Sequence, residues 1–448
     1  MRLRSSIIGL SLLFFVVQLQ AQSGLADSIQ RIHLWLHQHV KTSAEGSSWP
    51  VIPGESSGRI GLDLYSGIPG IVLFYLEAHH ATNKAEYLEE AKNGANFLLA
   101  RLPEQLSEMD AQGKTGLFSG ICGVGFTLQE VYKATKDKKY NEGFLRVLKL
   151  LLNAAETRGE TTHWGYVTDI IAGNSGIGLF LLYAYRETKN FTYLELAANT
   201  CNWLINAAQR ISTEQWKWRM WPGAEVTMPN FSHGTAGVAY FAAEVFAILE
   251  EGRYLRVALN GARYLQTLKN AEGLIPHHEE GDGKQLFYYG YCHGPVGTAR
   301  LYYVLYHSYK KERKTWQKPW EAAITTLLKS PIPQERTPGF WNNVSQCCGN
   351  AGVAEFFLTL YRLEGKKKYR NYAWLHTQDL LKRATSDAQG LRWIQAENRT
   401  EPEALAAQTG YMQGAAGIGI LLCHWLELEQ DKKQLIRLPD EPYGKEAK

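Results

Sequence analysis

The sequence predicts an all-α fold, an α/α toroid of seven inner and seven outer helices. Three observations predict it: a G-x-x-G element occurs seven times at spacings of 53 to 65 residues, an apolar helix-like run follows each copy, and amphipathic segments lie between copies. Self-similarity at such a period is typical of repeat proteins, in which each unit buries its apolar face against its neighbours. An open superhelix of stacked helix pairs is the alternative.

The chain begins with a segment typical of a secretory signal. Arg2 and Arg4 precede an apolar run over 7–17, and Ala21 ends a candidate cleavage site. The apolar run is too short to span a bilayer. We therefore expect a signal peptide over 1–21, a single toroid domain over 22–448, and a secreted or periplasmic protein.

The composition is that of a globular protein. Apolar residues make up 45% of the chain, charged residues 21%, and the formal net charge is +4. This charge is too small to argue for nucleic acid or an acidic membrane surface. We expect no nucleic-acid partner, no membrane association after signal cleavage, and a monomer.

Amphipathic segments with apolar residues at helical spacing predict the outer helices. They are expected at 26–43, 83–102, 137–157, 190–210, 251–269, 316–329 and 366–384. The inner helices have few charges and begin after the glycine pairs. Their first glycines are Gly67, Gly120, Gly173, Gly234, Gly294, Gly349 and Gly414. Without a Cβ atom, glycine permits a close backbone approach at each helix start.

The loops that lead into the inner helices are long and hold seven of the thirteen tryptophans. These are Trp49, Trp164, Trp216, Trp218, Trp221, Trp341 and Trp393. They either line a mouth suited to peptide or sugar or merely cap the barrel. Of these we take Trp164 and Trp341 as candidate substrate-binding residues.

Three cysteines precede the glycine pairs of adjacent repeats. Cys292 lies before the fifth inner helix, and Cys347 and Cys348 lie before the sixth. Three thiolates can hold one zinc ion and leave a fourth position open, as catalytic zinc sites do. Buried unligated cysteines or a disulfide are the alternatives, and His293 is a rival ligand. Cys122, Cys201 and Cys423 fall in apolar helical patterns and are expected to pack as small hydrophobes.

His233 directly precedes the fourth glycine pair, as Cys348 precedes the sixth. This position indicates an acid/base role at the same rim. Asp169, four residues before the third pair, could orient an imidazole. Asp63 has the same offset in the first repeat, so a helix N-cap is the competing interpretation for both carboxylates.

Together, the seven G-x-x-G repeats, Gly-Tyr-Cys-His-Gly and Cys-Cys-Gly resemble the lanthionine synthetase C-like family of lanthipeptide cyclases over about residues 26 to 428. The resemblance implies a toroid with a central zinc ion that activates a cysteine thiol of a peptide for addition to dehydroalanine or dehydrobutyrine. It implies Cys292, Cys347 and Cys348 as zinc ligands, with Cys348 in place of the usual histidine. It also implies His233 and Asp169 as the acid/base pair.

The sequence departs from the family at Tyr288, where an arginine is common, and it has no dehydratase region. Tyr288 and His293 are therefore candidate substrate-binding residues beside the zinc ligands. Three thiolates would leave the zinc site with a net charge of −1, which favours attack by a bound sulfur over water activation.

The leading hypothesis is thus zinc-dependent thioether formation on a peptide or small-thiol substrate. A carbohydrate-active α/α-barrel is a second hypothesis. It needs two carboxylates across the cavity, and the only obvious acidic loop cluster, Glu279, Glu280 and Asp282, is expected to be solvated. Six inner helices would favour it. The third hypothesis is a zinc-containing peptide-binding protein without turnover.

Overall fold

A computed structural model describes residues 23–108, 114–336 and 340–444. The predicted signal peptide lies outside these residues. None of the helices in the described part combines the length and the apolar character needed to cross a bilayer.

The described residues contain fourteen helices that alternate between an outer and an inner layer. The outer helices are α1 (23–38), α3 (Ala85–Ala100), α5 (Lys138–Ala154), α7 (Phe191–Ala207), α9 (Gly252–Thr267), α11 (Arg313–Leu328) and α13 (Lys367–Arg383). The inner helices are α2 (Ile68–Thr82), α4 (Ile121–Thr135), α6 (Asn174–Thr188), α8 (Thr235–Leu249), α10 (Pro295–Ser308), α12 (Asn350–Glu364) and α14 (Ala415–Glu429). The predicted all-α toroid with seven helices in each layer is confirmed.

The two layers differ in burial as their sequences predict. Helix α5 buries Tyr140, Phe144, Val147 and Leu151 on one face and leaves Glu142, Leu145 and Lys149 exposed on the other. Helix α2 buries nearly its whole circumference. The core therefore lies between the layers and between neighbouring inner helices.

A closed ring of backbone hydrogen bonds joins the seven repeats at the N-terminal ends of the inner helices. Its members lie two residues before each first glycine, and we call them the rim ring. They are Tyr65, Phe118, Ile171, Ser232, Cys292, Cys347 and Met412. In six repeats, the backbone N–H of the rim-ring residue donates to the backbone carbonyl of the rim-ring residue in the next repeat. In the third repeat, the N–H of Ile170 donates in place of that of Ile171. All seven N···O distances are 2.8–3.1 Å. The last bond runs from Met412 back to Tyr65, and α14 packs against α2. The repeats therefore form a closed toroid rather than an open superhelix.

Close backbone approaches require glycine at six of the first-glycine positions, namely Gly67, Gly173, Gly234, Gly294, Gly349 and Gly414. A Cβ atom on Gly234 would lie 1.4 Å from the carbonyl oxygen of Met228, and one on Gly349 would lie 2.2 Å from that of Asn343. Each of these carbonyls lies six residues earlier in a tight loop. No side chain fits in this loop, so the residue just before the glycine is held against the rim.

The loops contain twelve strands of two or three residues, too short to give an alternating pattern in the sequence. Five antiparallel hairpins pair β1 (Lys41–Ser43) with β2 (Gly46–Ser48), β3 (Glu156–Arg158) with β4 (Thr161–His163), β5 (Gln209–Arg210) with β6 (Trp216–Lys217), β9 (Thr385–Asp387) with β10 (Gly390–Arg392), and β11 (Ile394–Ala396) with β12 (Leu405–Ala407). Strands β7 (Phe287–Tyr288) and β8 (Phe340–Trp341) pair in parallel and tie the fifth repeat to the sixth.

Four of the loop tryptophans hold the loops to the outer helices. In each, the indole N–H donates to a carbonyl near the end of the preceding outer helix. The pairs are Trp49 with Leu36, Trp164 with Leu151, Trp218 with Leu204, and Trp393 with Leu380, at 2.7–3.1 Å. These bonds satisfy helix-end carbonyls that have no partner within their own helix. We call the four residues the indole clamps, and their role is structural.

Candidate metal centre and acid/base pair

Adjacent members of the rim ring bring the three predicted cysteines together. The N–H of Cys292 donates to the carbonyl of Cys347 at 3.1 Å. The Sγ atoms of Cys292 and Cys348 are 2.9 Å apart, and those of Cys348 and Cys347 are 3.5 Å apart. All three thiols are buried and free. The convergence expected from their places in neighbouring repeats is therefore observed.

The donor set fits a thiophilic metal ion. The three sulfurs lie within 4.8 Å of one another, and their separations exceed the roughly 2.05 Å of a disulfide bond. Zn–S bonds of about 2.3 Å in a tetrahedron require sulfurs about 3.8 Å apart, so a small outward shift of the side chains would accommodate zinc. His293 does not belong to this group of mutually close ligand atoms.

Hydrogen bonds among the cysteines distribute their charge unevenly. Bonds from Cys292 and Cys348 hold the pKa of Cys347 well below its usual value. Burial raises the pKa of Cys292, and the charge on Cys347 adds to that effect. The hydroxyl of Tyr65 also donates to Cys347 Sγ at 3.4 Å, and Gln413 Nε2 donates to that hydroxyl at 3.0 Å. The trio is thus arranged around negative charge on sulfur.

Cys122, Cys201 and Cys423 lie elsewhere, fully buried in the helical core as free thiols. Burial raises the pKa of each of them. The prediction that they pack as small hydrophobes is confirmed.

His233 lines the same cavity as the cysteines, and Asp169 lies directly behind it. His233 Nδ1 is 2.7 Å from Asp169 Oδ2, and Asp169 is fully buried. The other carboxylate oxygen accepts the N–H of Ala172 at 2.8 Å, so Asp169 both caps the loop and orients the imidazole. Burial opposes the charged imidazole, but the hydrogen bond and charge of Asp169 prevail and raise the pKa of His233.

The cysteines and His233 open onto one cavity of about 430 Å³. Further wall residues are Tyr65, His277, His278, Tyr288, His293, Glu397 and Arg399. Burial lowers the pKa of His277 to about 3 and that of His293 well below its usual value. These two imidazoles are therefore neutral near pH 7, whereas the pKa of His233 is shifted in the opposite direction.

The candidate substrate-binding residues lie in different places. Tyr288 and His293 form part of the cavity wall, with ring centroids 5.2 Å apart. Trp341 pairs with Tyr288 through β8, and its indole N–H is buried without a hydrogen-bond partner. Trp164 does not line this cavity. It is an indole clamp and lines a separate groove described below.

Several wall residues were absent from the sequence prediction, among them Tyr65, His277 and Arg399. Tyr65 occupies the same rim-ring position as Cys292 and Cys347, so its offset from Gly67 could have revealed it. His277 and Arg399 lie in loops outside the repeat, and no spacing indicates them. Of the described residues that line the cavity, Arg399 is the only lysine or arginine.

The acidic loop cluster is less solvated than expected. Glu279 forms an ion pair with Lys217 at 2.6 Å and accepts the hydroxyl of Tyr264, so the expectation of full solvation is wrong for this residue. Glu280 accepts the N–H and hydroxyl of Thr227. Both carboxylates are thus engaged in loop structure. The seven inner helices also remove the feature that would have favoured a carbohydrate-active barrel.

A second, larger groove of about 1120 Å³ lies at the same end of the toroid. It is mostly apolar and is lined by loops of the second, third and fourth repeats, including Trp164, Tyr166, Met220 and Trp221. The N–H of Thr168, next to Asp169, donates to the carbonyl of Met220 at 2.9 Å. The groove therefore adjoins the acid/base pair.

The structure resembles several solved proteins. It matches a protein described as nisin cyclase with a TM-score of 0.61 at 17% identity, covering 84% of this chain and 90% of that one. The Lin0763 protein from Listeria innocua matches with a TM-score of 0.49 at 14% identity, over 91% and 98% of the two chains. An unsaturated glucuronyl hydrolase from Streptococcus agalactiae matches with a TM-score of 0.48 at 10% identity, over 93% and 94%. At these identities the likeness to nisin cyclase shows a common fold.

No curated protein matches the chain in sequence. The sequence profile described as lanthionine synthetase C-like protein, in contrast, matches residues 59–438, which is most of the chain. With the fold and the convergent cysteines, this match establishes the family: the chain belongs to the lanthionine synthetase C-like proteins.

Proposed function

We propose that this protein forms thioether bonds by adding a thiol to a dehydroalanine or dehydrobutyrine residue of a peptide, with zinc as its cofactor. The observation that carries the proposal is the convergence of three free, buried cysteines beside the His233–Asp169 pair in one cavity. Membership of the lanthionine synthetase C-like family supports the reaction class.

Cys292, Cys347 and Cys348 would hold the zinc ion. A zinc ion bound there would lower the pKa of a substrate thiol and keep its sulfur nucleophilic at neutral pH. The cysteines contribute a compact negative site at the rim. Tyr65, which donates to Cys347, holds one of these sulfurs in place.

His233 moves the proton in this proposal. The carboxylate of Asp169 fixes the proton on Nδ1, so Nε2 is the atom available to the substrate. In the addition, a C–S bond forms at the β-carbon, the C=C π bond breaks, and a proton arrives at the α-carbon. The thiol supplies that proton overall, so the reaction needs no oxidant or reductant. His233 can accept it from sulfur and return it to carbon.

The decisive experiment uses a peptide that contains one dehydroalanine and one cysteine. Ring closure leaves its mass unchanged but protects the cysteine from alkylation by iodoacetamide, so mass spectrometry after alkylation measures the reaction. We expect zinc-loaded protein to protect the peptide. Cys347→Ala should lose activity together with the zinc ion of the cysteine site, whereas His233→Ala should keep that zinc ion and lose activity.

A non-catalytic peptide-binding protein is the second candidate, because Tyr288 stands where the family often has an arginine. It predicts that wild-type protein binds zinc and the peptide but protects the cysteine no faster than Cys347→Ala does. That outcome would contradict thioether formation.

We also propose that the protein acts after export, because residues 1–21 have the features of a signal peptide. Fractionation of cells that express the full chain, followed by N-terminal sequencing, tests this. Mature protein that begins near Gln22 outside the cytoplasm is expected. Intact protein in the cytoplasm would contradict it.

A further inference from the structure

A second polar cluster lies inside the toroid, away from the cysteine cavity, where the first and last inner helices meet. Glu77 on α2 and His424 and Glu427 on α14 bring one ligand atom each to within 4.8 Å of one another. Glu77 and Glu427 are fully buried, and His424 is nearly so. Neither the rim ring nor the proposed reaction involves this cluster.

Comparison with the other repeats shows that the surroundings of Glu77 are unusual. Counting from the residue after each first glycine, position 10 is Glu77 in α2, Glu130 in α4 and Glu244 in α8. Glu130 pairs with Lys133 at 2.9 Å, and Glu244 pairs with Arg186 at 3.1 Å. In both pairs the basic residue is at position 13 of an inner helix: Lys133 on α4 and Arg186 on α6. Each of these buried carboxylates is therefore paired with a positive charge.

The inner helix that precedes α2 around the closed ring is α14, just as α6, which carries Arg186, precedes α8, which carries Glu244. Position 13 of α14 is Glu427. Glu77 therefore faces a carboxylate where Glu244 faces a guanidinium. Two buried like charges destabilise each other strongly unless a cation or a proton lies between them.

Three carboxylate oxygens of this cluster have no hydrogen-bond partner. They are Oε2 of Glu77 and both Oε1 and Oε2 of Glu427. The remaining oxygen of Glu77 accepts the N–H of Ile436 at 2.8 Å. Buried, unpartnered carboxylate oxygens require a positively charged or proton-donating partner. These three oxygens therefore indicate either a bound cation or a proton shared between Glu77 and Glu427 at this position.

His424 is oriented as metal-binding histidines usually are. Its Nδ1 lies 2.8 Å from Glu355 Oε1, and Gln434 Nε2 donates to the same oxygen at 3.0 Å. Its Nε2 faces Glu77 Oε1 at 3.3 Å. A carboxylate that accepts the second ring N–H of a histidine fixes the tautomer and leaves the other nitrogen free to bind a metal.

The local charges also balance with a divalent cation. The groups that face the cluster are the carboxylates of Glu77, Glu355 and Glu427, the imidazole of His424, and the guanidinium of Arg362, 3.9 Å from Glu427 Oε2. Without an ion, burial raises the pKa of Glu427 to about 9, and the carboxylates of Glu355 and Glu77 outweigh burial and raise the pKa of His424. Two protons then bring the net charge of these groups to zero. A divalent ion that displaces both protons leaves the same net charge.

We propose that Glu77, His424 and Glu427 form a second metal site, which binds a first-row divalent transition ion and joins α14 to α2. Two carboxylates and one imidazole are a donor set that suits Zn²⁺ and its neighbours in the first row. The site is enclosed by protein, so the ion stabilises the closed ring rather than meeting substrate.

The test counts metal ions. Each purified variant is stripped with a chelator, reloaded with Zn²⁺, freed of excess metal and analysed by inductively coupled plasma mass spectrometry. We expect two zinc ions per chain in the wild type and one in Glu427→Gln. We expect one in Cys347→Ala and none in the double variant. Glu130→Gln, at the equivalent position 10 of α4 but paired with Lys133, is the matched control and should keep two.

The variants also separate this proposal from the proposed function. A Glu427→Gln protein that keeps one zinc ion is folded and has a working cysteine site. Its melting temperature should respond less to chelator than that of Cys347→Ala. If wild type and Glu427→Gln hold equal zinc, or Cys347→Ala holds none, the second site does not exist and a shared proton holds the two carboxylates together. If instead the cysteines bind no zinc and only the second site does, Cys347→Ala should hold as much zinc as the wild type.

Discussion

At the residue scale, the hydrogen bond between His233 and Asp169 sets the protonation of the acid/base pair. Burial alone would keep His233 neutral, and the Asp169 carboxylate reverses that tendency. The pair differs from His277 and His293 across the cavity, which burial keeps neutral. One cavity thus holds one imidazole whose pKa is raised beside two whose pKa is lowered.

The first prediction concerns Asp169→Asn. Loss of the carboxylate charge leaves burial as the main influence, so the pKa of His233 should fall, which NMR titration of the imidazole measures. In wild type the charged pair stabilises the fold fully below the unfolded value of 6.5, and this contribution is lost as pH rises through the higher folded pKa. The stability difference between wild type and variant should therefore shrink as pH rises. A difference that grows with pH would contradict it.

The second prediction concerns Arg399, the cation of the cavity wall. Removing one charge-assisted hydrogen bond costs about 1.5–3 kcal/mol, so Arg399→Met should lower kcat/KM for the dehydroalanine peptide by roughly tenfold to a hundredfold. Arg392→Met is the control, since Arg392 pairs with Asp387 on an outer hairpin. Equal activity of the two variants would show that Arg399 does not contact substrate.

At the scale of elements, each of the four loops that carry an indole clamp performs two tasks. Its clamp fastens it to an outer helix, and its final residues join the rim ring. The clamp of the third repeat is Trp164, ten residues before Asn174, whose side chain accepts the backbone N–H of Trp164 at 2.9 Å. Each of these four loops is thus anchored at both ends, and the stretch between its anchors is left to form the cavity or the groove.

The third prediction tests an indole clamp. Trp218 is fully buried, and its indole N–H donates to the carbonyl of Leu204 at 2.7 Å. Trp218→Phe leaves that acceptor unsatisfied, so the free energy of unfolding should fall by about 1–3 kcal/mol in urea titrations. Trp221 is 42% exposed, so Trp221→Phe should change the free energy of unfolding little. Equal losses in the two variants would remove the distinction between clamp and surface tryptophan.

The fourth prediction tests the groove as a peptide-binding surface. Tyr166 and Trp221 are exposed in it beside the acid/base pair. Replacing Trp221 by alanine should raise the KM of the dehydroalanine peptide several-fold, because an exposed aromatic anchor is lost. The rate with a small dehydroalanine derivative and a small thiol should stay unchanged. Trp203→Ala on α7 is the control, and an equal loss for both substrates would argue against the groove.

The sequence was sufficient to predict the helices and the cysteine site. Cys292, Cys347 and Cys348 all stand at fixed offsets from a glycine that no other residue can replace, so the offset determines their place in the ring. Arg399 could not be predicted, because its loop has no counterpart in the other repeats and its position depends on how that loop packs. The two-residue strands β7 and β8 are likewise too short for any pattern.

At the scale of the whole molecule, the C-terminal segment fills the interior of the toroid. It runs from the C-terminal part of α2, where Lys432 donates to the carbonyl of His80, to the space beneath the rim ring, where Leu438, Glu441 and Tyr443 share a pocket with Met412. Tyr240 on α8 donates to the carbonyl of Asp440 at 2.9 Å, and Tyr291 donates to its carboxylate at the same distance. The Ile436 N–H reaches Glu77 from the same segment. Closure of the ring therefore depends on contacts far apart in sequence.

The fifth prediction tests that closure at Arg300 on α10. Its buried guanidinium donates to the carbonyl of Asp440 at 3.2 Å and to Glu441 at 3.0 Å, and it lies over the ring of Tyr291. Arg300→Met leaves buried acidic groups without their cation, which costs about 3–5 kcal/mol in the free energy of unfolding. Arg313→Met, which alters an exposed arginine at the start of α11, should change it little.

A double variant separates the charge from the packing. Glu441→Gln removes one of the carboxylates that Arg300 neutralises, so Arg300→Met with Glu441→Gln should lose less stability than the sum of the two single losses. Neither Arg300 nor Glu441 lines the cysteine cavity, so each variant that remains folded should keep its cysteine-bound zinc. Strictly additive losses would mean that packing between Arg300 and its aromatic neighbours holds the C-terminal segment in place. The charge of Arg300 would then contribute nothing to closing the ring.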